Sequence, residues 1–326
     1  MRRAGELIAA VVVAGLMCSC ATAPPVSPQG PPVSPQGTAS LYVDCRGART
    51  AAPTVILEAG AFGTSADWSA VLDDLAKGGR VCAYDRAGLG RSPPSLAGKD
   101  VVAVAQELAR LLDTLGETRP VILVGHSNGA LYAEAFAALW PERVAGLVYV
   151  NGVEDSALDQ PLAMADLVRE RRASNLAGAL ADVGLAPLVS DVLTADMQLP
   201  PDNVAGKRAA MARRDAVIAA RDEDRQIIPG LATVRRLGGS PPSIPTAVIC
   251  GAADPQAPSS QAWRAAEIAP AQRARTAWVL DAPGATHTSP LVRDRAYVVA
   301  AVDWLRSSSS PSSRAAAGAG PGAKGS

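Results

Sequence analysis

Ser127 stands in the segment Val121-Ile-Leu-Val-Gly-His-Ser-Asn-Gly-Ala130, where an apolar, β-branched run ends in Gly-X-Ser-X-Gly. A helix-forming run, Ala130-Leu-Tyr-Ala-Glu-Ala-Phe-Ala-Ala-Leu139, follows at once. Strand, tight turn, helix is the context in which this pentapeptide makes a nucleophile elbow. Such a turn strains the serine backbone and lifts its hydroxyl off the strand end. Gly125 and Gly129 are expected there because a Cβ at either position would collide across so sharp a bend. Ser127 is the candidate nucleophile.

A serine hydroxyl attacks poorly without a base tuned near neutral pH, and histidine is the usual one. The chain has only two histidines. His126 adjoins Ser127, and neighbouring side chains on such a turn diverge, so it is poorly placed to take the serine proton. His287 remains, in Asp281-Ala-Pro-Gly-Ala-Thr-His-Thr-Ser-Pro290, read as a loop after the apolar run Thr276-Ala-Trp-Val-Leu280. In the elbow enzymes the acid lies between serine and histidine along the chain. Asp254 fits, at the end of the short apolar run Pro245-Thr-Ala-Val-Ile-Cys-Gly-Ala-Ala-Asp254. There it would orient the imidazole and stabilise the imidazolium. An Asp followed by Pro255 also starts turns on its own account. Asp155, with Glu154 before it, is the rival acid.

These side chains need a scaffold that brings them together. Apolar runs alternate with helical patterns through Val150, and again from about Ile244 to Arg306. The segment from Val101 to Leu115 carries apolar residues at helical spacing ahead of the elbow strand. This alternation predicts an α/β fold with a mainly parallel sheet, helices on both faces and ligands at the strands' C-terminal ends. Ser127, Asp254 and His287 each follow a strand, so they would collect at one edge. The segment at about 154–242 is rich in Ala, Arg and Asp, with breaks at Pro187, Pro200-Pro201 and Pro229-Gly230. It is expected to form a helical lid, an element that carries selectivity and excludes water.

The chain resembles the α/β-hydrolase superfamily of serine esterases and lipases, over about residues 41–306. Besides Gly125-His-Ser-Asn-Gly129, the resemblance rests on Val55-Ile-Leu-Glu-Ala-Gly-Ala-Phe-Gly63, similar to the family's strand and oxyanion loop. It rests also on Val81-Cys-Ala-Tyr-Asp-Arg-Ala-Gly-Leu-Gly-Arg-Ser92 and on the loops ending in Asp254 and His287. It implies an oxyanion hole built from the backbone N–H groups of Ala61 and Asn128. Ala59 stands where family members most often have His, which leaves that loop's hydrogen bonding open. Arg86 is expected in a fixed loop ion pair. The family's sheet order makes the strands of Cys45 and Cys82 neighbours, so the resemblance implies a Cys45–Cys82 disulfide. Cys250 reads as a core thiol.

The ends of the chain bear on location. Residues 1–20 read as an export signal of lipoprotein type: Met1-Arg-Arg3, an apolar run from Leu7 to Met17, then Met17-Cys-Ser-Cys20 with Cys20 as lipid acceptor. Cleavage after Ala21-Thr-Ala23 is the competitor, giving a periplasmic or secreted protein. The heptapeptide Pro24-Pro-Val-Ser-Pro-Gln-Gly30 repeats as Pro31–Gly37, so residues 21–40 read as a Pro-rich spacer. Residues 307–326 read as a disordered Ser-, Ala- and Gly-rich tail. Lipid attachment would hold the domain at a membrane surface without spanning it. Formal net charge is zero without a basic stripe, which argues against a nucleic-acid partner. No metal-ligand cluster or phosphate-cradling loop is visible, so no metal or cofactor is expected. The expectation is a cofactor-independent serine hydrolase for a small-molecule ester or related acyl substrate. A serine peptidase, a thioesterase and a non-catalytic ligand-binding protein are the alternatives.

Overall fold

Strands covered on both faces read as continuous apolar runs, and three such runs form the centre of this molecule. They are the strands Val121–His126, Val144–Val150 and Thr246–Ala252. The structure, a computed structural model, describes residues 40–95, 98–194, 199–252 and 254–308. The expected export segment with Cys20, the heptapeptide spacer up to residue 39 and the tail from residue 309 lie outside the described residues.

Seven strands make one sheet: β1 (Val43–Arg46), β2 (Val55–Glu58), β3 (Val81–Tyr84), β4 (Val121–His126), β5 (Val144–Val150), β6 (Thr246–Ala252) and β7 (Ala277–Pro283). Their order across the sheet is β1-β3-β2-β4-β5-β6-β7. Only β1 runs antiparallel, against β3; every other pairing is parallel. Cys45 lies opposite Cys82 in that antiparallel pair, and the two are bonded across a sequence separation of 37.

The helices are α1 (Ser69–Ala76), α2 (Val101–Thr114), α3 (Asn128–Leu139), α4 (Pro161–Asp182), α5 (Ala186–Thr194), α6 (Pro201–Met211), α7 (Arg214–Arg225), α8 (Ile227–Leu237), α9 (Pro258–Glu267), α10 (Ala269–Arg273) and α11 (Ala296–Ser308). Strand alternation divides the core between the two faces of the sheet. Val55 and Leu57 pack with α1 and α11 side chains, whereas Ile56 packs with those of α2 and α3. On α2 the buried residues Val101, Val104, Ala105, Leu108, Leu111 and Leu112 keep the three-and-four spacing of a helix face. The Asp100 carboxylate caps that helix, accepting from Val102 N and Ala103 N at 3.0 Å each.

Helices α4–α8 form an insert between β5 and β6, within the stretch expected to be helical. Its prolines mark helix starts more than breaks. Pro187 lies in the first turn of α5, Pro201 opens α6 and Pro229 lies in the first turn of α8. A first-turn N–H has no intrahelical partner, so proline is tolerated there. The turn between α4 and α5 falls instead at Gly184, whose φ of 85° suits glycine. A second difference concerns β7, which extends through Asp281, Ala282 and Pro283, residues read above as loop. Parallel pairing to β6 continues as far as Ala252↔Pro283. At the sheet edge the strand is largely exposed, so its apolar signal ends early.

The core also holds acidic groups. Burial pushes the Glu267 carboxyl up to about 8, against the opposing pull of the Cys250 thiol and of Arg264. Burial likewise drives the Cys250 thiol upward, as expected of a core thiol. Between the ordinary value of 4.5 and about 8, folded Glu267 keeps a proton that the unfolded chain has released. Its contribution is therefore full below that window and lost as pH rises through it. Thermal melts across the window should show Glu267→Gln losing less stability with rising pH than the parent, by several degrees. Parallel pH profiles for the two proteins would contradict this. Removing the disulfide in Cys45→Ser should lower unfolding free energy by about 3–4 kcal/mol, the loop-closure value for a ring of this size. Denaturant midpoints measure it, and an unchanged midpoint would contradict a bridge between these strands.

Candidate active site

Ser127 is a single residue wedged between β4 and α3, and the chain turns on it. Its backbone lies at φ 52°, ψ −124°, a conformation that costs a non-glycine residue about 1–3 kcal/mol. Three backbone hydrogen bonds hold it there. Its N–H donates to Val150 O at 3.1 Å, and its carbonyl accepts from Ala130 N and Val153 N at 3.0 Å each. The flanking glycines supply the clearance. A Cβ on Gly125 would come within 2.5 Å of Gly129 O, and one on Gly129 within 2.3 Å of Glu58 O.

His287 follows β7 on a loop that rests against the elbow. Its carbonyl accepts from two donors, His126 Nε2 and Asn151 Nδ2, each at 2.9 Å. A carbonyl only accepts, so this contact puts a proton on Nε2 of His126. Burial lowers His126 to about 4, which keeps it neutral at ordinary pH. The two imidazole rings lie 4.8 Å apart, centroid to centroid. His126 thus holds the loop that carries His287. Asn151 directly follows β5 at φ 44°, and its Oδ1 accepts from Gly251 N at 2.6 Å. One amide side chain therefore ties together the ends of β5 and β6 and the His287 loop.

Asp254 follows the end of β6 and is exposed. Its Oδ1 accepts from Gln256 N at 3.0 Å, the turn role that an Asp before Pro255 also suggests. Among the described residues, neither Ser127 Oγ nor the Asp254 carboxylate hydrogen-bonds the His287 imidazole. The rival Asp155 is committed elsewhere: Oδ1 accepts from Arg273 at 3.0 Å, and Oδ2 and the carbonyl from Arg235 at 3.4 and 2.7 Å. Two guanidinium partners make it a brace for α8 and α10.

Ala61 lies past β2, and among the described residues its N–H donates to no acceptor. Asn128 opens α3, where a first-turn N–H lacks an intrahelical partner. The loop carrying Ala61 is fastened from beneath by Arg86, which is 2 % exposed. Arg86 Nη1 donates to Ala59 O at 2.5 Å and to Glu58 Oε1 at 2.8 Å, and Nη2 donates to Gly60 O at 2.9 Å. Glu58 also accepts from the Tyr84 hydroxyl, yet burial still pushes its carboxyl up to about 7. The guanidinium replaces the hydrogen bonding that the Ala59 departure left open. Arg86 is the loop ion pair that its motif suggested, with partners no spacing rule could supply.

Comparison with known proteins bears on the fold. Residues 53–277 match the alpha/beta hydrolase fold family. RutD of Azorhizobium caulinodans, named for carbamate hydrolysis, is 34% identical over 114 residues, covering 35% of this chain and 42% of that protein. RutD of Stutzerimonas stutzeri is 40% identical over 101 residues, covering 31% and 38%. The aligned stretches thus span about two fifths of those relatives. Among solved structures, an esterase of Thermogutta terrifontis superposes with a TM-score of 0.60 at 20% identity, covering 85% of this chain and 96% of its own. The epoxide hydrolase CorEH gives 0.62 at 18%, covering 82% and 95%. Identities this low speak to the fold alone, and that fold houses more than one chemistry. With its parallel sheet, its turn at Ser127 and a family match over more than half its length, the chain belongs to the alpha/beta hydrolase fold family.

Proposed function

We propose that this hydrolase cleaves carboxylic esters or related acyl compounds, carbamates included, through a covalent acyl-enzyme on Ser127. The observation that carries the reading is the strained Ser127 backbone at the β4–α3 turn, with the His287 loop pinned against it through His126. In this mechanism Ser127 Oγ attacks the acyl carbon as its proton passes to the His287 imidazole. The tetrahedral oxyanion takes hydrogen bonds from the N–H groups of Ala61 and Asn128. Collapse expels the leaving group, which carries off the proton held by His287. Water, deprotonated by His287, then releases the acid and restores the serine. Asp254 serves as the acid by exchanging the Gln256 amide for the far imidazole nitrogen, a tightening that catalytic contacts often undergo when substrate binds. Serine as nucleophile favours acyl transfer over the epoxide opening named for CorEH.

A non-catalytic binding protein is the second reading, favoured by the absence of a Ser127–His287 hydrogen bond among the described residues. Labelling with a fluorophosphonate followed by peptide mapping separates the two. An enzyme labels at Ser127, and His287→Ala abolishes the labelling; folded parent protein that never labels belongs to the binder. On nitrophenyl esters, Ser127→Ala should lose roughly 10⁴–10⁶ in kcat, and Asp254→Asn roughly 10⁴.

The same proposal places the enzyme outside the cytoplasm, tethered to a membrane surface through lipid on Cys20. The support is the sequence of Met1-Arg-Arg3, the apolar run to Met17 and the Met17-Cys-Ser-Cys20 box. Metabolic labelling with tritiated palmitate should mark the parent chain and fail on Cys20→Ser. Equal labelling of both would contradict lipidation at Cys20.

A further inference from the structure

Glu223 and Asp224 are adjacent carboxylates near the end of α7, in the helical insert, and both are buried. Carboxylates are rarely so buried unless partnered. Glu223 is held by the guanidinium that lies beneath the proposed oxyanion loop. Glu223 Oε2 accepts from Arg86 Nη2 at 2.8 Å and Nε at 3.0 Å. With Ala59, Gly60 and Glu58, this uses all five N–H groups of the guanidinium. Glu223 Oε1 accepts from Lys99 at 3.2 Å, and the Tyr132 ring lies 5.0 Å from the guanidinium carbon. Asp224 beside Glu223 is buried with Oδ2 lacking a hydrogen-bond partner among the described residues.

The peptide plane turns these contacts into a statement about catalysis. Gly60 O and Ala61 N–H belong to one trans peptide and point in opposite directions. When Arg86 draws the Gly60 carbonyl inward, the Ala61 N–H is turned outward. Arg86 is itself oriented by the fork it makes with Glu223, a geometry that a lone point charge would not fix.

We propose that Glu223 of the insert sets one donor of the oxyanion hole, acting through Arg86 on the Gly60–Ala61 peptide. Glu223 is a positioning residue, and the inference rests on the acyl-transfer reading given above. The insert is then more than a cover over substrate: its docking completes the transition-state site. The coupling runs through contiguous hydrogen bonds whose loss is local and measurable.

Glu223→Gln keeps side-chain shape while removing the charge that grips Arg86. The expected result is a fall in kcat of about tenfold to a hundredfold, short of the loss of a whole oxyanion donor. KM for a nitrophenyl ester should stay within about threefold, the pattern of an interaction made only in the transition state. Affinity for an aryl trifluoromethyl ketone, which forms the tetrahedral adduct, should fall by the same factor as kcat. In amide NMR spectra Glu223→Gln should move the Ala61 resonance. Where Glu223→Gln fails to fold, Glu223→Asp keeps the charge with a shorter reach and should show the same pattern more weakly. Folded variants with lowered Tm, an unmoved Ala61 amide, and kcat and ketone affinity within twofold of the parent would overturn the proposal and leave an ordinary structural ion pair. A parent that shows no fluorophosphonate labelling overturns the acyl-transfer reading instead, and with it the catalytic role. The Ala61 amide resonance still decides whether Glu223 sets that peptide.

Discussion

The chain must pass from β4 to α3 within one residue, and that constraint organises everything near the site. A reversal so tight needs a positive φ at Ser127 and near-contact between β4, α3 and the β2 loop. Gly129 lies so close to the Glu58 carbonyl that any side chain there would push β2 away. The elbow and the loop after β2 are therefore one packed unit. Strain of this kind persists only where surrounding structure over-determines it. Here the determinants are three backbone hydrogen bonds from β5, α3 and the following loop.

Around that unit lies a shell of buried polar groups. Arg86, Glu58 and Glu223 are each almost wholly buried, and removing one partner of such a set strands the others at about 3–5 kcal/mol. An apolar core of the same volume would serve stability as well. What the charges add is direction, because a guanidinium fork fixes the orientation of the groups it binds. A second buried pair, Lys207 from α6 with Asp67 beyond the β2 loop, spans the same boundary. The insert is thus joined to the sheet edge by specific charge pairs as well as by the apolar cluster that Leu89 shares with Val217 and Ala220.

Much of this was legible in the residues. Period-two and continuous apolar runs identified the strands, and Gly125 and Gly129 identified the turn, since only local sterics are involved. The neighbourhood of Cys45 and Cys82 followed from family resemblance and sheet order. What remained hidden depends on contacts between distant segments. Glu223 sits 137 positions from Arg86, and no periodicity in α7 distinguishes it from a solvated charge. His126 reads as a poor base, but its hold on the His287 carbonyl, 161 positions away, appears only in three dimensions. Asn151 gave no signal beyond following an apolar strand. The end of β7 was missed because an edge strand carries half the apolar pattern of a buried one.

The central claim is that Ser127 becomes covalently acylated. Rapid acid quench during turnover of a nitrophenyl ester, followed by mass spectrometry of the Ser127 peptide, tests it most directly. Covalent catalysis predicts an acyl mass increment on that peptide within the first turnover, matched by a stoichiometric burst of nitrophenol. Turnover at full rate with that peptide unmodified, or undiminished in Ser127→Ala, would contradict it.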